Sequence, residues 1–320
     1  MSNRRSFLKT TGALAVASML PGLSRGNTLF AGLAANYPAV GLQTYSLNVL
    51  FNNKELSTKD VLKQIADIGV KELETATGST TGLYYGHKAK EFAAMVNDLG
   101  MKWIGNHVGG LPRTMAPRPG APARPAPSPE VAAAMAAAGQ RTNLRDNLQQ
   151  IVDEAAEAGC SWVICASSAE SNMDEIKKTT EIFAKAGEAS RKNGMKFAYH
   201  NHQSEFDKIE GTSAYEYVLG QTNKDEVFME VDLAWATQAG MDPVEMFKQY
   251  PGRFPLWHVK DIDPTTNRPA IVGTGKVDFK RIFSNSQLSG VQHTFIEQDG
   301  AKSINDIANS VKWLKANIYA

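Results

Sequence analysis

Two histidines one residue apart, His200 and His202, close the stretch Lys196-Phe197-Ala198-Tyr199-His200-Asn201-His202, which follows the turn signal Asn193-Gly194. Strand side chains alternate, so such a run delivers both imidazoles to one face. Three later apolar runs end in the same manner. Residues 227–231 lead into Asp232, residues 254–257 into His258, and residues 291–296 into Glu297. A lone histidine at a strand end is more often a hydrogen-bonded core residue than a ligand. Four ligand types at four consecutive strand ends outweigh that reading. Two imidazoles and two carboxylates form a mixed nitrogen and oxygen donor set, suited to Mn²⁺, Zn²⁺ or Co²⁺ and less to Ca²⁺. The expected ligands of one divalent metal are therefore His200, Asp232, His258 and Glu297.

Other residues fall around this set. His202 shares the face of His200 and is the alternative ligand or an acid/base group. Lys260, two residues after His258, shares its inward face and could donate a proton or bind a substrate oxygen. Its plain reading is a charge on the rim. His107 ends a strand across the mouth and suits a substrate contact. Trp235 and Tyr45 could offer apolar faces to sugar C–H groups. His293 begins its strand and is read as structural.

These side chains need elements that bring them together. Apolar runs alternate with helical periodicity along the whole chain: strands near 40–47, 70–75, 101–107, 162–166 and 195–200 precede the three just described. Ser57 opens a helix that Gly69 stops, His87 is placed at the start of the next, and Thr212 caps a short one after strand five. Eight strand–helix pairs predict a closed (β/α)8 barrel, whose chemistry sits at the C-terminal ends of its strands. The alternative is a doubly wound open sheet. No Gly-x-Gly-x-x-Gly follows the first strand, which weighs against a dinucleotide site.

Composition narrows the function classes. Net charge is +1 over 320 residues, which argues against nucleic acid as a partner. Apolar content of 42% suffices for a large core. Cys160 and Cys165 are five residues apart, on opposite faces of an ideal strand, and are expected to stay free. The N-terminal Asn3-Arg4-Arg5-Ser6-Phe7-Leu8-Lys9, followed by a weakly apolar stretch, is similar to a twin-arginine export signal. Residues 1–35 are expected to be this signal, read by the twin-arginine export machinery and removed without leaving a membrane span. The barrel is then expected to occupy 36–320, in the periplasm or otherwise exported. A Pro-, Ala- and Arg-rich insertion at about 111–135 leaves from the end of strand three, either as a flap over the site or as a surface excursion.

Tyr199-His200-Asn201-His202 with Glu205-Phe206, Glu230-Val231-Asp232, His258-Val259-Lys260-Asp261, Gly273-Thr274-Gly275-Lys276-Val277-Asp278 and Phe295-Ile296-Glu297 resemble the sugar phosphate isomerase/epimerase family, within the xylose isomerase-like barrel superfamily. The resemblance runs from about residue 39 to the C-terminus, apart from the insertion. It implies one divalent metal, Mn²⁺ first, with Zn²⁺, Co²⁺ or Mg²⁺ as alternatives. Related ketose epimerases hold it with Glu, Asp, His and Glu at the ends of strands five to eight. Asp232, His258 and Glu297 match, and His200 stands where the first Glu would be. The implied activity is isomerisation or epimerisation of a sugar through an enediolate, with Glu297 as base and Lys260 or His202 as the other proton-handling groups. Loss of the first Glu disfavours a symmetrical two-base epimerase and keeps open a lyase or hydratase using the same enediolate. Export favours a free sugar, keto-sugar or glycoside over a sugar phosphate. A sugar-binding barrel without catalysis and a multi-metal endonuclease are the remaining alternatives. The complete ligand set disfavours the first and the near-zero charge the second.

Overall fold

The computed structural model describes residues 37–76, 83–113 and 142–320. The expected signal segment, and the insertion from residue 114 onward, lie outside the described residues. Eight parallel strands close into a barrel: β1 (Val40–Gln43), β2 (Glu72–Ala76), β3 (Lys102–Gly109), β4 (Trp162–Ser167), β5 (Lys196–His200), β6 (Val227–Asp232), β7 (Leu256–Val259) and β8 (His293–Ile296). β1 seals the ring against β8, with Val40 opposite Thr294. The main outer helices are α1 (Thr58–Asp67), α2 (Ala89–Asp98), α3 (Leu144–Ala158), α4 (Met173–Lys192), α5 (Ala214–Gln221), α6 (Leu233–Gln238), α7 (Pro243–Gln249), α8 (Phe279–Ser284) and α9 (Ile304–Asn317). Among the described residues no helix is long and apolar enough to cross a membrane.

Alternation along the strands sorts the core into two parts. Outward residues such as Phe197, Tyr199, Val227, Met229 and Trp257 pack under the helices in the larger apolar cluster. Inward residues form a small apolar plug: Ile104, Trp162, Ile164, Ala198, Leu256 and Phe295, with Phe228 against it. Two residues beyond the plug each strand presents its next inward side chain. Ala198 is followed by His200, Phe228 by Glu230 and then Asp232, Leu256 by His258, and Phe295 by Glu297. The apolar plug closes one end of the barrel, and the polar residues line the other.

β3 departs from this alternation. The pairing of β2 with β3 runs Leu73 to Trp103 and then Glu74 to Gly105, skipping Ile104. Such a bulge places an extra residue on one strand and re-aims the side chains beyond it. Trp103 packs outward, Ile104 joins the inner plug, and His107 faces the interior three residues later. Gly105 permits the bulge, because a Cβ there would lie 2.8 Å from Cδ1 of Ile164 and 3.0 Å from the Trp162 carbonyl oxygen.

Local boundaries differ from the sequence expectation in three places. The first strand stops at Gln43, and Thr44–Leu47 is a 3-10 turn. Gln43 Oε1 accepts a hydrogen bond from the Tyr45 amide, and Thr44 Oγ1 donates to the Glu74 carbonyl, so the chain bends across β2. His87 pairs with Tyr84 in a small hairpin, and α2 begins at Ala89. Thr212 likewise pairs with Ile209, leaving Ser213 to cap α5 by accepting from the Glu216 amide. Both cysteines are free and buried, as expected.

Candidate active site and metal centre

β5 to β8 are neighbours in the ring, so their ends meet. His200, Asp232, His258 and Glu297 each bring a donor atom to one place, all within 4.8 Å of one another, and all four side chains are buried. Nδ1 of His258 lies 3.0 Å from Oε2 of Glu297. Asp232 splits its two oxygens between tasks. Oδ1 caps α6, accepting from the amides of Ala234 and Trp235 at 2.9 Å each. Oδ2 is buried and has no hydrogen-bond partner. Its charge partner is the Lys260 ammonium, 3.7 Å away, and a carboxylate oxygen without a hydrogen bond in a dry pit is costly unless an ion or proton meets it. Together with the nitrogen and oxygen donors around it, that orphaned atom fits a divalent cation.

Lys260 enters the same pit and is almost fully buried. Its Nζ is 2.9 Å from Oε2 of Glu297, 2.5 Å from Oδ2 of Asp299 and 3.7 Å from Oδ2 of Asp232. It also sits 4.8 Å from the centre of the Trp235 ring. Burial alone would lower its pKa, but the carboxylates of Glu297, Asp232 and Asp299 hold it well above the usual lysine value. It is a fixed ammonium group and not a rim charge. Burial and the adjacent imidazoles of His258 and His107 push His200 well below the ordinary histidine range, which leaves it neutral as a ligand must be. Burial raises Asp232 to about 6, with Glu297 adding repulsion and Lys260 opposing it. Glu297 resists burial: Lys260 and His258 hold it well below the usual range.

The remaining expected residues divide. Trp235 stands beside Lys260 at the rim. His202 follows the end of β5, with its side chain 46% exposed, and its Nδ1 lies 3.8 Å from Glu205. It borders the pit beside His200, ring centres 4.9 Å apart, without joining the buried donors. Tyr45 lies on the turn after β1 and is 48% exposed, a rim position. His107 is placed differently from the expected substrate contact. Its Nε2 is 2.8 Å from Glu74 Oε1 and 2.8 Å from Glu230 Oε2. His293 pairs with Glu72 at 2.8 Å, at the start of β8, consistent with a structural role.

Glu74, Glu230 and Asp299 were missed by the sequence reading. A signal existed for Glu230, which lies two residues before Asp232 on the same inward face. Glu74 stands near the end of β2 and obeys the same strand-end rule as the four ligands. Gln43 Nε2 donates to Oε1 of Glu74, and His258 Nε2 lies 2.8 Å from that oxygen.

Beside the site, Tyr199 places its hydroxyl 2.7 Å from both oxygens of Glu170. Burial, with Glu205 adding to it, raises Glu170 from 4.5 to about 8. Between those values the folded chain holds a proton that the unfolded chain has lost. Stability contributed by this group is therefore complete at low pH and falls as pH rises through the window. Glu170→Gln is expected to flatten that part of the profile and to gain on the parent at about pH 8. Urea unfolding of both proteins across the window checks this, and an unchanged slope would sink it.

A closed parallel barrel with a buried, donor-lined pit at the C-terminal mouth is the class of protein that fold and site define. Within that class the chain belongs to the xylose isomerase-like TIM barrel family, whose profile matches residues 62–317. A solved protein from Parabacteroides distasonis, described as a sugar phosphate isomerase/epimerase, is 27% identical, with a TM-score of 0.68 over 91% of this chain and 98% of its own. The inosose dehydratase of Lacticaseibacillus casei is 25% identical over 150 residues, 41% of this chain and 50% of the relative. The match thus spans half the length of that curated relative. The IOLI protein, whose structure is described with a bound zinc atom, shares the fold at 12% identity, with a TM-score of 0.62 over 88% of this chain and 98% of its own.

Proposed function

We propose that the chain is a metal-dependent isomerase or epimerase of a non-phosphorylated sugar or keto-sugar, working through an enediolate. The observation that supports this best is the convergence of His200, Asp232, His258 and Glu297 on one buried spot, with the Lys260 ammonium against Glu297. A divalent cation on those four residues would polarise a substrate carbonyl and offset charge developing on its oxygen. Mn²⁺ is the first choice by family resemblance. Zinc in the IOLI protein supports a transition-metal ion. Glu297 would take the proton from the carbon beside the carbonyl and return it at the neighbouring carbon in an isomerisation, whereas an epimerisation would draw its proton on the opposite face from a second group, His202 or Lys260. Lys260 would place a permanent positive charge beside the developing oxygen. Trp235 and Tyr45 would offer apolar faces to the sugar ring.

The second reading, elimination on a keto-sugar or glycoside, has specific support. His200 stands where related epimerases carry a second carboxylate, so the two-base arrangement is incomplete. Lys260 could then protonate a leaving oxygen while the C–O electron pair departs with it and Glu297 keeps the carbon-bound proton. The relative named inosose dehydratase points the same way. A panel of free keto-sugars, inososes and keto-glycosides, incubated with the metal-loaded protein, separates the readings by mass. An isomer conserves mass; loss of water or of the aglycone marks elimination. No turnover and no solvent-deuterium uptake on any of them would sink both and leave a sugar-binding barrel.

The Arg4-Arg5 signal supports a periplasmic location. Replacing both with lysine is expected to hold the protein in the cytoplasm, as read by cell fractionation. Undiminished export of that variant would sink the assignment.

A further inference from the structure

Among the described residues three large hydrophobic side chains are exposed: Tyr45 at 48%, Val49 at 51% and Leu288 at 38%. Leu288 belongs to the far end of the barrel, where its carbonyl accepts from the amide of Gly252 ahead of β7. Tyr45 and Val49 both follow the C-terminal end of β1, at the mouth. They are four residues apart on a continuous helical stretch, Thr44–Leu47 and then Asn48–Phe51, and so share a face. Single exposed apolar residues are ordinary on a protein surface. The pair has meaning only if something holds it to the site.

The stretch is held from three sides. The Tyr45 amide donates to Gln43 Oε1 at 3.1 Å, Gln43 Nε2 donates to Oε1 of Glu74, and Nε2 of His258 lies 2.8 Å from that same oxygen. Ser46 Oγ accepts from the amide of Gln298, the residue after Glu297, at 3.0 Å. From the outside, Tyr85 donates its hydroxyl to Thr44 Oγ1 at 2.7 Å and stacks its ring on Phe51, with centres 3.9 Å apart. Tyr85 is a costly choice where it stands. With Gly86 it makes the two-residue turn between Tyr84 and His87, at φ of 50° and 89°. When both central positions of a hairpin turn need positive φ, Asn-Gly meets the demand most readily. A tyrosine at the first of them is explained by its ring and hydroxyl, which brace residues 44–51 against the barrel. The composition of this ledge narrows its occupant. Residues 44–53 contain Asn48, Asn52 and Asn53 and no charged side chain. Apolar surface beside uncharged amides suits a neutral ring and offers nothing to an ion. Two side chains are too small an area for a protein partner, which needs about 800 Å² on each side.

We propose that Tyr45 and Val49 form a subsite for a second neutral ring, joined through a glycosidic bond to the sugar whose carbonyl lies in the pit. Tyr45 borders both rings, and Val49 carries the apolar surface past the first. The substrate is then a keto-glycoside and not a free keto-sugar. This rests on the enediolate reading for the reacting ring and adds what that ring is attached to. A sugar ring and an aromatic aglycone present the same neutral face, and substrates carrying one or the other tell them apart.

The test gives the metal-loaded full chain one keto-sugar as its methyl, glucosyl and phenyl glycosides and measures kcat/KM for each. The glucosyl or the phenyl compound is expected to exceed the methyl by about 10-fold, the order that one aromatic contact supplies. That preference should fall to near unity in the double variant Tyr45→Ser with Val49→Ser. Both side chains are exposed, so folding is not at stake. Leu288→Ser, at the far end, should keep the parental preference. A gain for the glucosyl compound alone names a disaccharide, and a gain for the phenyl compound alone names an aromatic aglycone. Equal kcat/KM for all three in the parent, or a preference that survives in the double variant, overturns the subsite and leaves the enediolate reading standing. Turnover of none of them counts against the enediolate reading, and calorimetry with unreactive methyl glucoside, phenyl glucoside and cellobiose then decides the ledge by itself. Tighter binding of either two-ring compound by the same margin, lost in the double variant, supports the subsite. Equal affinity for all three overturns it.

Discussion

Asp232→Asn is expected to fold like the parent and to lose more than about 100-fold in affinity for the mouth cation, since even an outer-shell partner is worth 10- to 100-fold. The two oxygens of this carboxylate make the case. Oδ1 caps α6 through the amides of Ala234 and Trp235, and Oδ2 is buried without a hydrogen bond, with the Lys260 ammonium 3.7 Å away. Asparagine can keep a carbonyl oxygen at the cap while it removes the negative charge and the second oxygen. Asp232→Ala removes the cap as well and should cost about 1 kcal/mol of folding stability in addition. Lys260 keeps Glu297 and Asp299 as partners in either variant, so no unpaired ammonium is created. The pair of variants therefore separates metal binding from stability. Titration calorimetry and thermal unfolding supply the two readouts. Parental affinity for that cation in Asp232→Asn would show that the orphaned oxygen is not a ligand.

Period-two alternation made the mouth of the pit legible from sequence alone. Each of β5 to β8 carries an apolar inward residue two positions before its first polar one, and the polar side chains close an apolar run. His200, His258 and Glu297 announce themselves by that break. In the layer beneath, Glu230 left a signal, two residues before Asp232 on the same face. A glutamate inside a strand with no such neighbour, such as Glu74, looks the same in sequence whether it faces solvent or the barrel axis. Its direction depends on closure of the ring, which is a property of eight strands together. His107 was harder still, because its direction depends on one skipped residue in β3. Gly105 is the local trace of that bulge, but a glycine inside a strand equally marks a tight barrel corner or a close backbone approach. The helix starts that moved, at His87 and Thr212, did so because short hairpins outside the barrel took residues that local capping rules assign to helices.

Glu297→Gln is expected to keep the metal and to lose two to four decades in turnover, the range associated with a general base. Glutamine retains the length of the side chain and one oxygen that can face a cation, but it has no basic carboxylate. Glu297 is not a strong base in this setting. Burial would raise its pKa, yet Lys260 and His258 hold it well below the usual range, and a bound cation would lower it further. A weak base suffices if the proton it removes is made acidic by the same positive charges. Lys260 sits 2.9 Å from Oε2 of Glu297 and would stand beside the carbonyl whose neighbour loses the proton. Substrate acidity and carboxylate basicity then shift together, and the transfer stays matched near neutral pH. This mechanism requires that exchange of the carbon-bound hydrogen with deuterated water vanish along with turnover. Exchange at the parental rate in Glu297→Gln would move the base elsewhere. Lys260 is held protonated by its three carboxylates, so His202 at the rim would become the stronger candidate.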